Sequence, residues 1–328
     1  MYIKAEKRKK ISNTNSTRTV DTPKLYENIN IDSNLLNILY FNVGQADSTL
    51  ITINDKVMLI DAGNPSDGYY ISEFLNAQNI TTIDYLIGTH IDEDHIGGLY
   101  KIIENFKIGT LYMPESTITT KKFYNSLQET MNENNIKRTP VEASNTIEYE
   151  LGDATWKILN IDNSDPQSES KFNDTSIVIE LSYKETKYLF MGDASSKIEE
   201  NIEFNRANVL KIAHHGSDGS TSLDFLKTTF PDYAIISTNG RYGHPAPKLL
   251  NRLDELQELK IKQNQKFTTY RTDLNNTLWL TSDGTSLDNI WIKELNYNLD
   301  GANRKISLLE IINTYIVSFL HNDINHLA

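Results

Sequence analysis

The stretch Leu86-Ile87-Gly88-Thr89-His90-Ile91-Asp92-Glu93-Asp94-His95-Ile96-Gly97-Gly98-Leu99 constrains this chain more than any other. The apolar run 83–87 predicts a buried strand leading into it. Beyond the strand, His90 and Asp92 stand two apart and point the same way from extended backbone, while Asp94 and His95 come where the chain must turn. Gly97 and Gly98 are read as supplying that turn, with a helix over 99–106 behind it. Imidazole and carboxylate concentrated after a buried strand are costly without a counter-ion, which disfavours a merely solvated acidic turn. The pairs His90/Asp92 and Asp94/His95 are enough to begin two adjacent metal sites. A calcium-binding EF-hand loop does not fit, because Ile96 takes an oxygen-ligand position and Ile103 stands where the bidentate glutamate belongs.

The chain has 328 residues, a formal charge of −12 and no cysteine. Thiolate ligands are therefore excluded, and a transition metal must be held by histidine and carboxylate. The acidic balance argues against a surface that grips nucleic acid all over, since that affinity comes from Lys and Arg on phosphates; a local basic cleft stays open. Lys4, Lys7, Arg8, Lys9 and Lys10 precede a Ser/Thr/Asn-rich run with no apolar stretch behind it. Residues 1–30 are accordingly expected to form a basic, polar N-terminal arm rather than a secretory signal, and the chain is expected in the cytoplasm. No segment reaches the ~20 apolar residues of a membrane span, so no membrane insertion is expected. Residues 306–320, interrupted by Glu310 and Asn313, read as a docked amphipathic helix.

Mixed apolar and polar residues at strand spacing mark 35–42, and 48–53 with 56–61 flank the Asn54-Asp55 turn as a hairpin. Helices are predicted over 68–78, 99–106, 123–135, 195–204, 226–229 and 248–259. Strands are predicted over 83–87, 110–113, 155–161, 175–183, 187–191, 209–213, 233–237 and 278–281. Residues 162–174 read as an exposed polar loop. Each half gives strands first and then alternating helix and strand, which suits an α+β architecture of two packed sheets with helices outside.

The run His90-Ile91-Asp92-Glu93-Asp94-His95-Ile96-Gly97-Gly98 resembles a variant of the metallo-β-lactamase-fold signature found in the hydrolase domain of ComEC-type DNA-uptake competence proteins. In that variant aspartate replaces the second histidine of the commoner His-x-His-x-Asp-His. Further segments match the domain in order: Phe41-Asn42-Val43-Gly44-Gln45-Ala46-Asp47, Leu59-Ile60-Asp61-Ala62-Gly63, Phe190-Met191-Gly192-Asp193, Leu210-Lys211-Ile212-Ala213-His214-His215-Gly216-Ser217, and Ile235-Ile236-Ser237-Thr238-Asn239 with Tyr242-Gly243-His244-Pro245. The resemblance runs from about residue 35 to about residue 281. It implies a four-layer αββα sandwich over 31–284, leaving 285–328 as a C-terminal extension with no assigned role.

The resemblance also implies two divalent metal ions, with His90, Asp92, Asp94, His95 and His244 as ligands and Asp193 bridging. Asp193 has a second reading as the cap of a helix from Ser195. His214 and His215 follow a strand directly; adjacent side chains diverge, so one of them is expected to face the metals as ligand or proton donor. Asp61 and Asp47 are expected to accept the remaining N–H of bound imidazoles. Asn239 and Arg241 are candidates for contact with a substrate anion. Where many relatives of the wider family place another histidine, this chain has Asn173-Asp174-Thr175-Ser176. The resulting oxygen-rich donor set favours manganese over zinc, while zinc stays open.

The implied chemistry is hydrolysis assisted by two metals, with Asp94 orienting the attacking water and His214 or His215 protonating the leaving group. The implied substrate is a phosphodiester of DNA or RNA. Rival readings are a hydrolase of a small phosphodiester, phosphonate or lactone, and a non-enzymatic binding module with a relic metal site. A long basic groove would favour the polymer, a closed pocket with one or two cations the small substrate. Because the resembled proteins join this domain to a membrane channel, the chain is read as either a free-standing hydrolase or a subunit with a separately encoded protein partner.

Overall fold

The computed structural model describes residues 25–114, 121–140, 143–144, 146–161 and 172–301. Most of the expected N-terminal arm, residues 162–171 of the polar loop and the expected helix over 306–320 lie outside the described residues. The first part of the chain supplies β1 (Leu36–Tyr40), β2 (Thr49–Ile53), β3 (Lys56–Ile60), β4 (Thr82–Ile87) and β5 (Lys107–Tyr112). Next come β6 (Tyr149–Leu151), β7 (Ala154–Asn160), β8 (Val178–Tyr183), β9 (Thr186–Phe190), β10 (Val209–Lys211), β11 (Tyr233–Ile236) and β12 (Thr268–Arg271). The closing strands β13 (Thr277–Ser282) and β14 (Ile290–Leu295) return to the first sheet, giving the order β14-β13-β1-β2-β3-β4-β5. The second sheet runs β12-β11-β10-β9-β8-β7-β6.

Both sheets are buried on two faces, and that is why their strands read as nearly continuous apolar runs. In β1, Leu36, Ile38 and Tyr40 face the space between the sheets, where they meet Trp156, Ile158, Tyr188 and Phe190. Leu39 points the other way, into a core shared with α1 (Asp67–Ala77), α3 (Leu99–Asn105) and α4 (Lys122–Glu133), which contribute Phe74, Ile102 and Leu127. The short α2 (Glu93–Ile96) lies between α1 and α3 in the chain. On the far side, Leu189 and Leu210 pack against Phe225 and Leu226 of α6 (Leu223–Thr229) and Leu253 and Leu256 of α7 (Pro247–Lys262). Three apolar layers thus separate four structural layers, the αββα sandwich expected from the sequence. Among the described residues, no helix is long and apolar enough to cross a membrane.

Several boundaries differ from the expected ones. The helix expected over 195–204 is α5 (Ser196–Glu199), with Ser195 at its N-cap position; Asp193 caps nothing. Strands β6, β12 and β14 were not predicted, and they stand at the outer ends of the sheets, where one partner is missing and the apolar signal is weak. Sheet pairing continues beyond 284, because β14 pairs along β13 from Thr277↔Leu295 to Ser282↔Ile290. Beyond it, the Leu299 amide donates to the Asn42 carbonyl at 2.7 Å and the Gly301 amide to Asp67 Oδ1 at 2.6 Å.

A buried ion pair is among the polar links that join the halves inside the molecule. Lys211, the last residue of β10, is 3% exposed, and its Nζ donates to Asp47 Oδ2 at 2.8 Å. The Asp47 amide in turn donates to the Asp94 carbonyl at 3.0 Å, and the Gly63 amide to the Asp47 carbonyl at 2.9 Å. Two outcomes follow. Truncation after Gly284 is expected to cost at least about 4 kcal/mol relative to truncation after Gly301, from the lost burial of Ile290, Leu295 and Leu299. Equal melting temperatures for the two truncations would contradict this. Lys211→Met strands a buried carboxylate and is expected to lose about 3 kcal/mol or more in urea unfolding, with partial recovery in Lys211→Met/Asp47→Asn.

Candidate metal centre

The parallel strands end at one rim, and the candidate residues collect there. β3 runs parallel to β4, and β9, β10 and β11 run parallel to one another, so their carboxyl ends face the same side. Asp61 follows β3, His90 follows β4, Asp193 follows β9, and His214 and His215 follow β10. Strand ends hold side chains on rigid backbone, which suits a site needing fixed geometry.

Asp193 lies at the centre. Its Oδ1 is 3.2 Å from His95 Nε2, and its Oδ2 is 3.9 Å from His90 Nε2, 3.8 Å from His215 Nε2 and 3.7 Å from His214 Nε2. Asp92 Oδ2 stands 3.5 Å from His90 Nε2, and Asp94 Oδ2 stands 3.2 Å from His215 Nε2. Two donor groups result, His90/Asp92 and Asp94/His95/His215, with Asp193 between them. Gly192 makes this approach feasible: its φ is +53°, and a Cβ there would press on Ser176 and Thr89 at 3.1 Å. Gly98 serves differently from the expected turn role. Its backbone is right-handed helical, but a Cβ would fall 2.1 Å from the Ala62 carbonyl, so glycine is needed for contact between the two loops.

Neighbours fix the rings. Asp61 Oδ1 accepts from the Thr89 amide and Oδ2 from the Thr89 hydroxyl, each at 2.7 Å, and Oδ2 lies 2.8 Å from His95 Nδ1. With Nδ1 committed to Asp61, the other nitrogen of His95, Nε2, is turned toward Asp193. His215 Nδ1 is 3.0 Å from the Ser237 carbonyl, which commits its Nε2 to the same side. Asp47 is farther, its Oδ1 3.9 Å from His215 Nδ1, and its stronger partner is Lys211.

The electrostatics of the cluster demand positive charge. Burial alone would raise the Asp193 carboxyl, but His95 and His215 overturn this and hold it well below the usual range. Burial pushes the His95 imidazole down, yet Asp193 and Asp61 on either side hold it well above the usual histidine range. For Asp94, burial is outweighed by the His215 hydrogen bond and the nearby His95, and the carboxyl falls to about 2. His214 and His244 are pushed the other way, first by burial and then by neighbouring imidazoles. His90 Nε2, His95 Nε2 and Asp193 Oδ1 are fully buried with no hydrogen-bond partner. Ligand atoms from His90, His95 and Asp193 lie within 4.8 Å of one another, as do those of Asp94, His95 and His215. Orphaned donors that converge in this way fit divalent cations, which satisfy lone pairs that hydrogen bonds leave unmet.

The rim therefore gathers His90, Asp92, Asp94, His95 and Asp193 as the sequence suggested. It differs over the other histidines. His214, His215 and Gly216 have φ of +50°, +52° and +86°, and this left-handed turn lets both imidazoles approach Asp193 where divergence was expected. His215 is buried beside Asp94, whereas His214 lies at the rim with its ring 5.6 Å from that of His244. His244 itself is held off: its Nδ1 is 3.3 Å from the Gln45 amide nitrogen, and it joins neither donor group. Asn173, in the place of the wider family's histidine, sets its amide 3.2 Å from His214 Nδ1. Thr89 and Lys211 were not singled out from the sequence. A lysine within the apolar run Val209-Leu210-Lys211-Ile212-Ala213 was the available signal, since lysine is seldom buried unpaired.

Comparison with known proteins agrees with this geometry. Residues 41–261 match the metallo-beta-lactamase superfamily. The chain is 32% identical over 215 residues to ComE operon protein 3 of Bacillus subtilis (strain 168), an alignment covering 62% of this chain and 25% of that protein. It is 31% identical over 209 residues to Recombination protein 2 of Haemophilus influenzae, covering 62% and 24% respectively. Competence protein ComA of Neisseria gonorrhoeae is 24% identical over 226 residues, covering 66% and 29%. The chain thus spans about a quarter of the length of the curated relatives it matches. With two packed sheets, a histidine- and aspartate-lined rim at their strand ends, and a family match over most of the domain, this chain belongs to the metallo-beta-lactamase superfamily and is homologous to the ComEC-type competence proteins.

Proposed function

We propose that this member of a metallo-hydrolase superfamily is a phosphodiesterase, cleaving DNA or RNA with two divalent metal ions, and that its hydrolase domain extends through residue 301. The observation that carries the reading is the buried Asp193 carboxylate between two incomplete donor groups, the arrangement a shared pair of cations calls for. His90, Asp92 and Asp193 would hold one ion; Asp94, His95, His215 and Asp193 would hold the other. When bound, such ions supply Lewis acidity toward phosphoryl oxygens and a nucleophile near neutral pH. The names of the relatives, a recombination protein and competence proteins, support nucleic acid as the substrate class.

The chain's own residues perform the remaining tasks. Asp61 and the Ser237 carbonyl keep the His95 and His215 rings in one tautomer and one orientation. Asp94, ionised at neutral pH, accepts a hydrogen bond from the attacking water and directs its lone pair at phosphorus. His214 and His244, held below the usual histidine range, are neutral at pH 7 and act as a relay. They take the proton released as the water's O–H bond breaks and return it to the alkoxide that leaves as the P–O bond breaks.

Metal analysis of the protein purified without chelator is expected to find about two divalent ions per chain, manganese before zinc. Asp193→Asn is expected to lose metal and to lower turnover of a DNA substrate at least about a hundredfold. His215→Ala should lose one equivalent, while His244→Ala should keep both and lower turnover only. Metal loss in His244→Ala with retention in His215→Ala would exchange their roles, and full turnover by Asp193→Asn would remove the mechanism.

A further inference from the structure

A cavity of about 210 Å³ opens beside the candidate metal centre, its walls including Asp94, Gln45, Asn239, Arg241 and Tyr242. At this size it stands at the small end of ligand pockets, suited to one unit of a chain and not to a duplex. Among the described residues, Arg241 is the one cation in its lining, and Glu93 and Asp300 are on the lining as well. An anionic group entering the cavity is therefore drawn toward the Arg241 wall.

Tyr242 on that wall is costly to the protein twice over. It is 76% exposed, so its ring gains little from packing. Its backbone is left-handed, with φ +58° and ψ +14°, a conformation that costs a residue with a Cβ about 1 kcal/mol or more. Yet the loop is held firmly. Thr238 Oγ1 donates to Gln45 Oε1 at 3.0 Å and lies 3.1 Å from the His244 carbonyl. The Gly240 amide donates to Thr238 Oγ1 at 3.1 Å, the Arg241 amide to Asn239 Oδ1 at 3.0 Å, and the His244 amide to the Arg241 carbonyl at 3.0 Å. A well-fixed loop thus presents an exposed aromatic ring with a guanidinium over one face, its carbon 5.5 Å from the ring centroid.

We infer that Arg241 and Tyr242 form a nucleotide clamp, in which the ring stacks on one base of an unpaired strand and the guanidinium pairs with the phosphate next to the reacting one. The inference rests on the phosphodiesterase reading and narrows it to single-stranded ends taken one nucleotide at a time. Aromatic stacking accepts any base, because every base has a π-face, and the guanidinium fork matches a phosphate's paired oxygens. Glycine at 240 and 243, with φ of +80° and +74°, flanks the clamp and lets the loop reverse tightly around it.

The test compares two phosphodiesters in manganese buffer, thymidine 5′-(p-nitrophenyl) phosphate and methyl p-nitrophenyl phosphate, which carries no base. The native protein is expected to favour the nucleoside ester at least about tenfold in kcat/KM, the range of one stacked base. Tyr242→Ala should bring that ratio to about one, and Tyr242→Phe should keep it. A 3′-phosphate on the nucleoside ester should lower KM further in the native protein and not in Arg241→Gln. Calorimetric titration of metal-free protein with thymidine 3′,5′-bisphosphate should show binding weakened at least about fivefold by Tyr242→Ala. An unchanged ester ratio or unchanged binding in Tyr242→Ala overturns the clamp. Failure of the native protein to hydrolyse either ester overturns the phosphodiesterase reading instead, and the titration still decides the clamp.

Discussion

Everything at this rim depends on a carboxylate that the fold has taken out of water. Asp193 is fully buried, and an isolated buried carboxylate would be neutralised by protonation or would unfold its surroundings. It survives as an anion because imidazoles from two loops surround it, His90 and His95 after β4 and His214 and His215 after β10. That arrangement sets the needs of the neighbours in turn. Each imidazole must turn its Nε2 inward, so each must commit its other nitrogen outward, and Asp61, Thr89 and the Ser237 carbonyl meet that need. A ring free to rotate would leave Asp193 without a partner half of the time. The supporting hydrogen bonds are therefore as much a condition of the buried charge as of any chemistry done there.

The two-sheet architecture makes such an arrangement affordable. Strands buried on both faces cannot slip by one residue without moving polar side chains into the cores, so their ends are fixed relative to each other. Loops leaving those ends are short and mutually bonded: the Ile177 amide donates to the Thr89 carbonyl at 2.8 Å and the His214 amide to the Gly192 carbonyl at 3.1 Å. The Lys211–Asp47 pair ties the loop after β1 to the end of β10 beneath the same rim. A buried ion pair adds little net stability compared with apolar packing. Its use here is to fix position, since Asp47 also bonds through its backbone to the loops bearing Asp94 and Gly63.

The sequence disclosed the parts of this structure that are local, and withheld the parts that depend on two segments meeting. His90 to His95 could be read as a metal loop because donors and strand share one stretch, and Asp193 because a carboxylate at the end of an apolar run is anomalous. The fold class was legible through periodicity and through the family resemblance together. The placement of His214 and His215 around Asp193 was not, because it turns on a left-handed backbone at 214–216 that composition does not advertise; only Gly216 hints at it. Edge strands were missed for a related reason. Thr268–Arg271 and Tyr149–Leu151 have weak apolar patterns and are strands by virtue of the neighbour they pair with. Ile290–Leu295 carries four apolar residues around the Lys293-Glu294 pair, yet sat beyond the end of the family pattern and was left without a role.

A strongly acidic chain and a nucleic-acid substrate are compatible only if attraction is concentrated where cleavage occurs. Counterion release along an extended basic face is how proteins hold long stretches of duplex, and a chain of charge −12 is poorly suited to it. A cavity with Arg241 on its lining beside cation-demanding donors would work differently on the proposed substrate: the attraction would be short-ranged and screened a few residues away. For the proposed substrate, an acidic exterior would repel the bulk of a polyanion while the rim retained its end. On this view the net charge sets a preference between binding modes, favouring capture of an exposed terminus over lateral binding along a duplex.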